Sequence, residues 1–220
     1  MNQGVKLLFW GVVSAVFVGL VLAVAVEREV EARTAQLLQE AKQLQAMVKV
    51  DQERQRNIEK VLRVLNRFNP DMPEETKRAI AEEIHIASVK YDNLDVDLIC
   101  ATITHESAFT WEPTVVSPVG ALGLMQVMPE TGEFLARIEG VEWKDAKAVL
   151  FDPVLNIRLG SRYLSSLIEL YDVDGGLAAY NGGGKRVEMW LAQNRAEGIL
   201  FPETQQYVPA VLELYNEFKN

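Results

Sequence analysis

Twenty consecutive residues, Leu7 to Val26, carry no charged side chain, and Ser14 is the only clearly polar one among them. As an α-helix such a run spans about 30 Å, the thickness of a bilayer's hydrocarbon core. It can serve as a retained membrane anchor, as a secretory signal cut near Ala23-Val24-Ala25, or as a helix buried wholly in protein. A signal's apolar region is usually about 7 to 15 residues. This run is longer and passes straight into a charged helical pattern, so the reading adopted is a retained anchor. Lys6 and the α-amine precede it, which biases the N-terminus to the inside and the rest of the chain across the membrane, although Arg28 and Arg33 on the far side weaken that bias.

From Glu27 to Phe68 there is no Gly or Pro, and Ala, Leu, Gln, Glu, Lys and Arg dominate, so one long helix is expected. A heptad frame puts Val30, Leu37, Leu44, Asp51, Ile58 and Leu65 at one seam position and Thr34, Ala41, Val48, Gln55 and Leu62 at the other. Asp51 and Gln55 interrupt the seam. Either a two-part coiled coil forms or the helix packs on its own domain over its second half only. A coiled coil implies self-association, and a solvated helical stalk is the alternative.

Asn69-Pro70-Asp71-Met72-Pro73 is the strongest breaker in the chain. Three parts follow: an anchor or signal at 1–26, a stalk at 27–69 and a folded domain at 70–220. Charge divides at the same place. Up to Asn69 there are 10 Lys/Arg against 7 Asp/Glu; from Pro70 onward there are 12 against 24, giving the whole chain a net charge of −9. A domain that acidic has no basic face for a nucleic acid backbone.

Within 70–220 the sequence reads as short helices. Pro73 precedes one from Glu74 to Tyr91, Asp95 can cap one from Val96 to about Ser107, and Asp152-Pro153 opens one to about Tyr171. Gly175-Gly176 starts a further helix ending at Tyr180, Gly182-Gly183-Gly184 breaks it, and two more follow, up to Arg195 and after Pro202. Only Val115 to Gln126 suggests an extended piece, so the domain is mainly α. A single cysteine, Cys100, cannot form an internal disulfide, and with two histidines the chain has no metal-ligand spacing; no cofactor or metal is expected.

Three segments carry chemistry-bearing residues. Glu106 follows the apolar helix face Val96, Ile99, Cys100 and Ile103; a carboxyl at the buried C-terminal end of a helix has its neutral form favoured, as a general acid requires. Ser117 to Pro129 is a loop with Gly120 and Gly123 and a lone amide, Gln126, in an apolar run. Ala178 to Gly183 sets Tyr180 and Asn181 at a helix end before three glycines. Singly, each has a plain structural explanation: a solvated acid, a tight turn, a helix cap.

Together the three resemble the lytic transglycosylase (SLT, goose-lysozyme-like) family of peptidoglycan-cleaving enzymes. Glu106-Ser107-Ala108-Phe109 matches its catalytic Glu-Ser followed by Phe, Gly120 to Thr131 its G-A-x-G-L-M-Q signature with trailing M-P-x-T, and Ala179 to Gly183 its A-Y-N-x-G signature. Asp152-Pro153 with Asn156-Ile157, Gly160 and Tyr163-Leu164 fits its helix pattern, and Glu203-Thr204 with Tyr207-Val208 its closing E-T-x-x-Y-V motif. The likeness runs from about Ile84 to Phe218. Two departures stand at loop or cap positions: Gly182-Gly183-Gly184-Lys185 replaces the usual A-G-P-G, and Val96-Asp97 replaces an Asp-Pro.

The resemblance implies a lysozyme-like α domain acting on peptidoglycan glycan strands. Glu106 would be the single acid and base. Gln126 and Tyr180 would hold the sugar's acetamide, Ser107 and Asn181 shape the site, Met125 line the groove, and Glu203 and Tyr207 support the wall opposite the acid; the alternatives are Ser107 as a helix cap, Met125 as a core residue and Glu203 as a solvated acid at a helix start. His105 and His85 are read as structural and Cys100 as a core residue. No second acid stands beside Glu106 in these motifs; Asp145, Asp152 and Glu203 could approach it only through the fold. The implied setting is a single-pass membrane protein with its catalytic domain on the periplasmic, wall-facing side, or a phage virion or phage-encoded membrane protein. Two alternatives stay open: a muramidase hydrolysing the same bond, and a wall-binding scaffold in a secretion or phage assembly.

Overall fold

The structure, a computed structural model, describes residues 3–220. Among these residues eight helices follow in chain order: α1 (Gln3–Phe68), α2 (Glu74–Lys90), α3 (Val96–Glu106), α4 (Pro129–Glu139), α5 (Ala146–Leu150), α6 (Pro153–Gly182), α7 (Gly184–Ala192) and α8 (Pro202–Lys219). The chain divides into two units, Met1–Glu53 and Arg54–Asn220.

The first unit is helical throughout its described residues, and α1 contains a stretch, with mean hydropathy 2.2, long and apolar enough to cross a membrane. Leu7 to Phe9 and Ala15 of the expected anchor lie outside the residues whose side chains are described. Along the stalk, Val30, Leu37, Leu44 and Val48 of the heptad frame are all exposed.

The second unit begins at Arg54, upstream of the helix break at Pro70 where the sequence boundary was drawn. The reason is a buried stripe at helical spacing, Ile58, Val61, Val64 and Leu65, in the last turns of α1. Polar bonds seat it: Lys60 Nζ lies 2.8 Å from both Asp97 carboxylate oxygens, and Asn57 meets His85 at 3.3 Å. Lys77, itself buried, donates to Asn66 Oδ1, the Pro70 carbonyl and Glu74, fixing the turn between α1 and α2. The heptad residues Ile58 and Leu65 therefore belong to the domain's own core.

α3 is buried on every side from Val96 to Thr104 and forms the centre of the bundle, against α8 and α2. Asp95 caps it as expected, accepting from the Leu98 N–H at 2.8 Å. α6 packs on α2, α4, α7 and α8, and Arg158 forks onto buried Glu83 with two bonds of 2.8 Å. The expected interruption after Tyr171 is a kink at Asp172 (φ 64°, ψ −175°), whose Oδ1 accepts the Gly175 N–H and restarts the helix. α4 and α5 add to the helices expected from the sequence. Their signals were present: Pro129 in the first turn of α4, left-handed Gly140 at its end, and the Asp145 cap on α5. The extended piece reduces to two isolated antiparallel bridges, Val116 to Leu122 and Leu122 to Val127.

Candidate active site

Glu106 is the last residue of α3, half-buried where the central helix surfaces. Burial pushes its carboxyl from 4.5 up to about 7; the negative charge of Glu203 adds to the rise, and a hydrogen bond from Tyr207 opposes it. Tyr207 lies on α8 with its ring buried, and rather than standing in a wall opposite the acid it touches the acid itself: its hydroxyl donates to Glu106 Oε1 at 2.6 Å. Oε2 remains to carry an acidic proton. His105 packs edge-on against the Tyr207 ring at 4.7 Å between centroids, so it buttresses the phenol. Glu203 stands exposed in the first turn of α8. Asp145 and Asp152 are occupied as caps of α5 and α6.

The turn after the acid is unusual. Ala108, Phe109 and Trp111 all have positive φ (51°, 63° and 51°). Ser107 explains how it holds: fully buried, its Oγ accepts the Trp111 N–H at 3.1 Å, while the Trp111 indole donates to Thr104 Oγ1 at 2.9 Å. Ser107 thus works behind the site and offers nothing to a ligand.

Gln126 (φ 47°) donates through Nε2 to the carbonyls of Gly123, at 2.7 Å, and Val115, at 3.3 Å. Its amide orientation is set by the loop, which leaves Oε1 as the acceptor it can present. The Tyr180 hydroxyl donates to the Met125 carbonyl at 2.7 Å, and its ring lies 5.3 Å from that of Tyr163. Asn181 Oδ1 accepts from Thr204 at 2.7 Å, which turns its amide NH2 outward as a donor. Gln126, Met128, Tyr163, Tyr180 and Asn181 line a cavity of about 230 Å³. The charge of Glu106 also reaches Tyr180, whose hydroxyl burial already holds well above the ordinary phenol range.

The expectation for Met125 needs correcting. Its side chain does not line the groove but is wholly buried, seated on Gly160 with its sulfur 3.7 Å from the Ser161 hydroxyl; it contributes its backbone carbonyl instead. The structure therefore brings Glu106, Tyr207 and the charge of Glu203 together and sets Gln126, Tyr180 and Asn181 around one cavity, with Ser107 and Met125 beneath. Tyr163, Asn156 and Trp111 were not assigned roles from sequence, though Asn156 and Tyr163 stand in the helix pattern that follows Asp152-Pro153. Among the described residues no group of three His, Cys, Asp or Glu is placed to hold a metal ion.

The family described as Transglycosylase SLT domain matches residues 83–200. The soluble lytic murein transglycosylase of Escherichia coli K12 is 37% identical over 122 residues, 51% of this chain and 19% of that protein. Membrane-bound lytic murein transglycosylase C of Photorhabdus laumondii is 40% identical over 114 residues, 47% of this chain and 31% of its own. Among solved structures, an inactive glutamate-to-glutamine mutant of a Pseudomonas aeruginosa lytic transglycosylase superposes with a TM-score of 0.56 at 32% identity, covering 70% of this chain and 25% of the other. The chain thus spans between a fifth and a third of the curated relatives' length.

Proposed function

Since the chain belongs to the transglycosylase SLT domain family, we propose that it is a peptidoglycan lytic transglycosylase in which Glu106 serves as the single acid and base. The observation that carries the reading is the state of that carboxyl: half-buried at the end of a helix, raised to about 7, with one oxygen taken by Tyr207 and the other free. A carboxylic acid still protonated near neutral pH is what protonation of a glycosidic oxygen requires.

The protonated Oε2 of Glu106 gives its proton to the glycosidic oxygen between N-acetylmuramic acid and N-acetylglucosamine as the bond to the muramyl anomeric carbon breaks. The muramyl acetamide oxygen closes on that carbon, with Gln126 Oε1 accepting the acetamide N–H and the amide of Asn181 turned toward the sugar. Glu106, now ionised and steadied by the Tyr207 hydroxyl, takes the proton from the C6 hydroxyl, whose oxygen displaces the acetamide. The product is a 1,6-anhydromuramyl end, and no water is consumed. Two-carboxylate glycosidases hold their acids at a set separation; here Glu203 raises the acid's pKa from an exposed position.

The apolar stretch of α1 would hold the enzyme in a membrane with its catalytic domain on the periplasmic, wall-facing side, and the exposed seam of Val30, Leu37, Leu44 and Val48 supports self-association of the stalk. Mass spectrometry of muropeptides released from purified peptidoglycan tests the chemistry. Anhydromuramyl products that vanish in Glu106→Gln are expected. Reducing ends would make the protein a muramidase, and no release by folded protein would favour a wall-binding scaffold.

A further inference from the structure

Asn156 lies in the first turn of α6, fully buried, and each of its hydrogen bonds goes to backbone. Its Oδ1 accepts the Met125 N–H at 2.7 Å, and its Nδ2 donates to the carbonyls of Leu122 and Leu150, both at 2.9 Å. One side chain thus closes the turn from Leu122 to Met125 and pins it to the end of α5. Gly123 is squeezed between them: a Cβ there would stand 2.2 Å from the Leu150 oxygen and 2.3 Å from Asn156 Nδ2, and its φ is +78°. One helical turn further along α6, a Cβ on Gly160 would lie 2.6 Å from the Met125 Cβ and sulfur, so the same helix face seats that side chain. The Met125 carbonyl then receives the Tyr180 hydroxyl.

We propose that Asn156 is a positioning residue for the active site, holding the Leu122–Met125 turn from beneath and so fixing where Gln126 presents its acceptor and where Tyr180 stands. It touches no substrate. The requirement is chemical. A short planar side chain must supply two donors and one acceptor at once; aspartate has the same shape without the donors, and leaves two carbonyls facing oxygen where no water reaches. The turn then gives, and Gln126, the next residue, moves with it. Displacements of about 1 Å at a reacting centre cost up to roughly a hundredfold in rate.

The test compares the full-length protein with Asn156→Asp and with Ile80→Ala, which removes buried methyl groups on α2, a helix that contributes nothing to the site. Two readouts are taken well below each variant's melting point: amide hydrogen exchange across residues 122–127, and steady-state kinetics on glycan strands. In Asn156→Asp, exchange in the turn is expected to quicken by about tenfold and kcat to fall by roughly tenfold or more with KM little changed. Ile80→Ala should lower the melting point and leave both readouts alone. An Asn156→Asp variant that only melts earlier, with exchange and kcat like those of Ile80→Ala, overturns the proposal. If that variant fails to fold, Asn156→Ser is read on the same two scales. The kinetic arm rests on the transglycosylase reading; should wild type release no muropeptide, that reading falls, and the exchange arm alone decides whether Asn156 holds the turn.

Discussion

The hydroxyl of Tyr207, on the last helix, donates to Oε1 of Glu106 on the central helix at 2.6 Å. This one bond has two opposed effects. It occupies Oε1, leaving Oε2 as the oxygen on which the proposed acid would hold its proton, and it stabilises the ionised form that burial disfavours. The phenol therefore trims a shift that burial and Glu203 would carry higher.

Tyr207→Phe keeps the ring packed on His105 and removes only that donor. The carboxyl of Glu106 should then titrate above its present value of about 7. The alkaline fall of kcat/KM in a pH profile of muropeptide release is expected to move upward by about one pH unit. The plateau should drop by roughly tenfold, because in the proposed mechanism the carboxylate that takes the C6 hydroxyl proton would lose its support. An alkaline limb that stays in place would show that the phenol has no part in setting the acid.

Stability carries the same signature with a definite sign. The folded protein holds the Glu106 proton up to about 7, against 4.5 for the free side chain. This carboxyl's contribution to stability is therefore fully present below 4.5 and is lost as pH rises through about 7. Glutamine does not titrate. The stability of Glu106→Gln relative to wild type should increase across that window by up to about 3 kcal/mol and stay level at higher pH. Chemical denaturation of both proteins in the same detergent at pH 4, 6 and 8 measures it; a gap that does not grow with pH would mean that burial does not hold the proton on.

The proposed self-association of the stalk can be tested with the chain's own chemistry. Cys100, the single cysteine, is 1% exposed in the domain core, so it gives no crosslinking background. Leu44 lies in the heptad seam and is 62% exposed, whereas Ala46 falls on the opposite side of the heptad. In membrane vesicles, oxidised Leu44→Cys should run as a dimer and Ala46→Cys as a monomer. Equal behaviour of the two would leave α1 a solvated stalk.

How much of this was legible beforehand depends on whether the signal was local. The Asp95 cap, the Asp152-Pro153 start and the interruption after Tyr171 were readable because each is set by one or two residues acting on nearby backbone. Glu106 alone reads equally as a solvated acid at a helix end; it stands out only because Gly120 to Thr131 and Ala179 to Gly183 follow it in the order that the family resemblance requires. Met125 was misplaced because its burial depends on Gly160 and Ser161, far along the chain. The link from Asn156 to Leu122 spans 34 positions, and nothing in either segment alone announces it. The two boundaries differ for a related reason: Pro70 marks where a helix stops, whereas the compact unit begins at Arg54, where that helix is first covered.

That last difference has a practical consequence. A fragment beginning at Pro70 lacks the buried side chains of Ile58, Val61, Val64 and Leu65, each worth about 1.5 to 3 kcal/mol of apolar burial. It also leaves Asp97, 8% exposed, without Lys60, and Lys77 without Asn66. Summed, the loss rivals the roughly 5 to 15 kcal/mol that holds a domain together. A fragment beginning at Arg54 keeps all of these contacts, together with the Arg54 to Glu82 pair. Circular dichroism melting should show a cooperative transition for residues 54–220 and none for residues 70–220. A cooperative transition of equal midpoint in the shorter fragment would mean that the last turns of α1 rest on the domain without supporting it.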